Sequence, residues 1–144
     1  MALVEPFVIN QEDPNVAQAD GVAEALQDLF LYCVPLGITI LLRPEDVLCL
    51  FAQETDATAL QSTAEVKLEA RDGTQSQKIP VLGPALYASF AGEFKDEDKF
   101  VHLDISAPIE VKEKEYIALM VKNPTPYADK DTGYFSLRTH RRRG

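Results

Sequence analysis

From Gly37 to His140 the apolar residues of this chain fall at every second position or in short unbroken runs, and each run is cut by Pro, Gly, Asn or Asp. That rhythm is the period of strands; an amphipathic helix needs apolar positions three and four residues apart. Thr63 to Arg71 carries it most clearly. Val66, Leu68 and Ala70 alternate with Glu65, Lys67, Glu69 and Arg71, which predicts one covered face and one wet face. Asp72-Gly73 then predicts a tight hairpin turn into Gln75 to Val81. Gly37 to Arg43 is β-branched and apolar and stops at Pro44, which has no N–H for a ladder. Val47 to Ala52 and Ile117 to Val121 are apolar on both alternations, so both are expected to be central strands covered on both faces. Leu86 to Ala91, Phe100 to Ile105, Ile109 to Val111 and Tyr134 to His140 supply further strands. Strands at this spacing, with no helices alternating between them, predict an all-β antiparallel β-sandwich or jelly roll.

The ends read differently. Leu3, Val4, Phe7, Val8 and Ile9 form an apolar patch ahead of the polar turn residues Asn10 to Asn15. The expected organisation is an extended N-terminal arm over residues 1–25, a sandwich over 26–140 and a basic C-terminal tail over 141–144. Asn15 also suits the cap of a short helix in which Val16, Ala19, Val22 or Ala23, Leu26 and Phe30 recur at three- and four-residue steps, although Gly21 costs it ~1 kcal/mol.

Charge is divided between the ends. The first 42 residues hold six acidic side chains and no Lys or Arg, whereas Arg138, Arg141, Arg142 and Arg143 place four positive charges in the last seven residues. The whole chain of 144 residues is at −9, so taking away those four charges leaves −13. A field of that sign opposes phosphate backbones and anionic lipid, so neither nucleic acid nor membrane is expected as a partner. At 46% hydrophobic residues the chain is too apolar for intrinsic disorder. Its longest apolar run, Leu29 to Leu42, is broken by Pro35 and Gly37 and falls short of the ~20 residues that cross a bilayer. The N-terminus has no basic segment leading a long apolar core, which is the pattern of a secretory leader. Cys33 and Cys49, set in apolar stretches, are expected to be free core thiols.

Catalytic chemistry finds little material, and the expectation is that the protein is not an enzyme. Only two histidines, His102 and His140, are present, too few for a cupin-like metal centre, and His102 alternates toward solvent. No Gly-x-Ser-x-Gly elbow and no phosphate-cradling glycine loop occurs. The acidic pairs stand beside lysines on predicted turns, as solvated surface does. Asp96 to Asp98, and Asp129 with Asp131, are oxygen-rich enough for calcium but lack EF-hand spacing. No cofactor and no metal site is expected.

A small acidic β-sandwich with a long N-terminal arm, a proline-bearing C-terminal stretch and no catalytic constellation resembles the capsid decoration, or cement, proteins of tailed bacteriophages. The resemblance is architectural and spans the strand region from Gly37 to Thr139 plus the arms; its nearest local feature is the pair Ile109 to Val111 and Tyr116 to Val121. It implies a homotrimer on the outer capsid surface of the virion, made in the host cytoplasm, that clamps neighbouring copies of the major capsid protein. Under that reading Leu3, Val4, Phe7, Val8 and Ile9 pack on another chain, or else fold back on their own sandwich. Arg138, Arg141, Arg142 and Arg143 are expected to grip carboxylates of a neighbouring subunit or of the capsid protein. The alternative is a carbohydrate- or receptor-binding β-sandwich.

Overall fold

The computed structural model describes residues 3–12, 26–53, 65–86, 99–103, 105–122 and 132–143. Among these residues there are ten strands and no helix: β1 (Leu3–Glu12), β2 (Gln27–Cys33), β3 (Ile38–Leu42), β4 (Val47–Gln53), β5 (Glu65–Arg71), β6 (Gln77–Leu86), β7 (Lys99–His102), β8 (Ile109–Val111), β9 (Tyr116–Lys122) and β10 (Thr132–Arg143). A four-stranded sheet runs β2-β9-β5-β6, and a six-stranded sheet runs β7-β4-β10-β3-β8 with β1 also on β10. Every pairing is antiparallel. The chain is the antiparallel β-sandwich that its alternating pattern predicts.

The long terminal strand β10 organises the six-stranded sheet. β1 pairs with it from Tyr134 to Arg143, so β3 and β4 must share its other flank. They do so in tandem: Ile38 to Leu41 face Arg143 to His140, and Val47 to Gln53 face Arg138 to Thr132. Residues 43–46 bulge out near Thr139, and Pro44 breaks the ladder where Gly37 to Arg43 was expected to stop.

The facing sides of the two sheets make the core. Ile40, Leu42, Leu48, Ile109, Val111 and Leu137 come from the six-stranded sheet, and Val66, Leu68, Ala70, Ile117 and Leu119 from the other; all are buried. Each large side chain withdrawn from water in this way contributes roughly 1.5 to 3 kcal/mol. β4 lies between β7 and β10, and β9 between β2 and β5. Both two-sided apolar segments are therefore central strands, and Ala118 between Ile117 and Leu119 is fully buried on the opposite face.

Three expectations change. The helix read from Asn15 to Phe30 falls partly outside the described residues, and its last part is strand β2, in which Phe30 and Tyr32 pack against the core. Cys33 is exposed; its register partner is Tyr116, on the side of β9 away from Ile117, although neither cysteine is in a disulfide, as expected.

The third change concerns β5, whose charged face is not wet at Glu69 and Arg71. Their side chains are only 7% and 8% exposed. Arg71 stands opposite Tyr116 of β9 and reaches across that strand to Asp28 of β2 with two parallel bonds of 2.9 and 2.7 Å. Its Nε donates to Glu69 Oε2 at 2.6 Å, Lys67 Nζ lies 3.0 Å from Glu69 Oε1, and Lys67 also donates to Gln77 at 2.8 Å. The alternation identified the side, and this network covers it. The candidate strand over 86–91 lies beyond Leu86 largely outside the described residues, as do the acidic clusters at 96–98 and at 129 and 131.

Candidate docking surface on the terminal strands

All nine side chains singled out at the two ends sit on β1 or β10, and the register sets them against one another. Leu3 faces Arg143, Val4 faces Arg142, Phe7 faces Thr139, Val8 faces Arg138 and Ile9 faces Leu137. Within the single chain the apolar patch thus folds back as a strand of its own sandwich. Alternation then divides it. Ile9 is buried in the core and Phe7 packs against it, whereas Leu3, Val4 and Val8 remain 65%, 41% and 46% exposed.

The odd-numbered side runs inward over an ionic clasp. Glu5 Oε1 accepts from Arg141 Nε at 2.8 Å and lies 2.9 Å from Arg143 Nε. The Arg141 guanidinium also stands 4.5 Å over the Phe7 ring, which tilts at 51° against Tyr32 with centroids 6.5 Å apart. The Arg141 hydrogen bond, aided by the charges of Arg143 and Arg141, holds the Glu5 carboxyl below the usual carboxylate range. Burial pushes the Tyr32 hydroxyl up, partly opposed by Arg141.

The even-numbered side faces outward. There Val4 and Val8 stand beside Arg142 and Arg138, since directly paired residues share a face. Arg142 reaches across β3 to Glu110 of β8, with Nη1 and Oε1 3.2 Å apart. Arg138 is exposed and has no ionic partner among the described residues. Three of the four arginines are thus paired inside the chain, and Arg138 has no such pair among the described residues. Four arginines against Glu5 and Glu110 leave a local surplus of positive charge on a molecule whose total is −9.

Two functional features escaped the sequence reading. Glu5 is the carboxylate that ties the termini together; the uncompensated acids at one end and uncompensated arginines at the other were the available signal. The second is a polar knot at the β3–β4 bulge. Asp46, almost wholly buried, accepts from Arg43 N at 2.9 Å and from Thr139 Oγ1 at 2.6 Å; the same hydroxyl lies 2.8 Å from Leu41 O. His140 Nδ1 lies 3.5 Å from Asp46 Oδ1, without a hydrogen bond, and exposed His102 places its Nδ1 3.3 Å from Glu45 O. In this knot the Thr139 proton is directed at a carboxylate and a carbonyl and not at an imidazole, which is an arrangement for holding a bulge and not for activating a nucleophile. Among the described residues no three ligating side chains converge on a point.

The chain matches no protein-family model and no curated protein.

Proposed function

We propose that this chain is a structural protein without catalytic activity that binds the outside of an icosahedral phage capsid as a homotrimer and clamps neighbouring copies of the major capsid protein. The observation that carries the reading is the outward side of the β1–β10 ribbon, where Val4 and Val8 are left exposed in register with Arg142 and Arg138. Aliphatic side chains beside arginines form a surface that gains by being covered, with the apolar part supplying affinity and the guanidinium forks supplying orientation. Repetition around a trimer multiplies a modest contact through effective concentration.

Sedimentation with assembled tailed-phage capsid shells tests the proposal. The chain should pellet with the shells, and Val4→Asp with Val8→Asp should weaken that at least about tenfold, or 1.4 kcal/mol, while leaving the melting temperature in place. A chain that stays in the supernatant, or that pellets equally well with both aspartates, would overturn it. Retention on a glycan surface without shell binding would move the protein to the carbohydrate- or receptor-binding class.

A further inference from the structure

The five sheet edges among the described residues are not equally protected. An exposed edge presents unpaired N–H and C=O groups, and proteins blunt it with short strands, bulges or prolines. β7 has four residues and β8 three. β2 is bulged between Asp28 and Phe30. β6 carries Pro80 and Pro84 and slips register repeatedly against β5, with Gly83 pressed so close that a Cβ there would lie 2.5 Å from Val66 O. β1 is the exception. Its ten residues pair with β10 without a register shift, β10 is its one strand partner among the described residues, and Pro6 interrupts it only near its start. Phe7 to Glu12 is the longest regular, proline-free edge.

The same sandwich also shows how far its arginines reach. Arg71 crosses β9 to bond Asp28 on β2, and Arg142 crosses β3 to Glu110 on β8, each two strands from its origin. Arg138 has the same geometry available over Val8. Crossing β1 by the same span carries its guanidinium to the position of a strand not yet present.

We infer that the Phe7–Glu12 edge of β1 receives an extended segment of a protein partner as an added strand, and that Arg138 reads an acidic side chain on it. This rests on the docking reading above and names the chemistry of the partner: a strand with apolar residues at alternate positions, to lie beside Val8, and a carboxylate within the fork of Arg138. Main-chain bonds supply affinity and the charge fixes register.

Fluorescence anisotropy with short labelled peptides tests it on the full chain. A peptide alternating valine and glutamate should bind, and one alternating valine and lysine should bind at least about tenfold more weakly. Arg138→Glu, a change at an exposed position, should reverse that preference, which no general loss of folding would do. Val8→Pro should abolish binding of both, because Val8 has the same parity as Pro6, and proline is tolerated in an edge strand where the N–H position faces away from the neighbouring strand. Equal binding of the two peptides, or a preference that Arg138→Glu leaves unchanged, would overturn the inference. Shells that sediment with the chain while neither peptide binds would remove strand addition and leave capsid docking standing.

Discussion

Arg71 decides more about the four-stranded sheet than any other polar side chain. A guanidinium buried with Glu69 and fork-bonded to Asp28 is stable only as a set, because the burial of each charge is offset by its partners. Removing one member leaves a carboxylate desolvated without its partner. Arg71→Met should therefore cost about 3 to 5 kcal/mol in denaturant unfolding, with Lys67 retaining part of the Glu69 contact and holding the loss to the lower end. Adding Glu69→Leu to that variant should recover most of the loss; a purely additive second loss would show that the charges act independently. The pH dependence follows from the same residue. Burial pushes the Glu69 carboxyl up, but hydrogen bonds from Arg71 and Lys67, and their charges, bring it below the usual range. A carboxyl depressed in the folded state stabilises fully above the unfolded value, ~4.3, and loses that contribution as pH falls through the folded one. Unfolding free energy measured from pH ~6 down to ~3 should accordingly fall more steeply for the native chain than for Glu69→Gln.

Among the elements, the tandem β3–β4 arrangement depends on the bulge at residues 43–46 and on Asp46, which fastens it to Thr139. Asp46→Ala should cost about 1 to 3 kcal/mol, because Arg43 N and the Thr139 hydroxyl lose a buried acceptor. Asp46→Asn, which keeps one carbonyl oxygen, should cost less. Most strands were legible because apolar alternation has a period that only a strand satisfies, and Ile38–Leu42, Val47–Gln53, Ile109–Val111 and Tyr116–Lys122 match their predicted runs closely. What alternation does not carry is long-range pairing. Tyr134 to His140 was read as ending before Arg141, yet β10 continues to Arg143 because Glu5 and Glu110 supply the countercharges from strands more than thirty residues away or at the opposite terminus. The same gap hid the cover over Arg71. Helical spacing from Val16 to Phe30 misled because Phe30 and Tyr32, two residues apart, are claimed by the core as strand partners of β9.

At the scale of the whole molecule, the termini form one ribbon, and its outward side carries exposed aliphatics and a cationic surplus on an otherwise acidic sandwich. Most of the residues proposed to dock were legible as unusual composition at each end, whereas their cross-strand alignment became visible only with the fold. A contact that involves charge as well as apolar area should weaken as salt rises, most sharply where exposed arginines meet carboxylates within a Debye length of ~8 Å. Raising ionic strength should therefore lower shell affinity through slower association, while melting temperature changes little. Hydrogen–deuterium exchange of the full chain, with and without assembled capsid shells, tests the central claim most directly. The account predicts new protection concentrated in β1 and β10, strongest from Phe7 to Glu12. Protection confined to the opposite edge at β6, or exchange unchanged by shells, would contradict it.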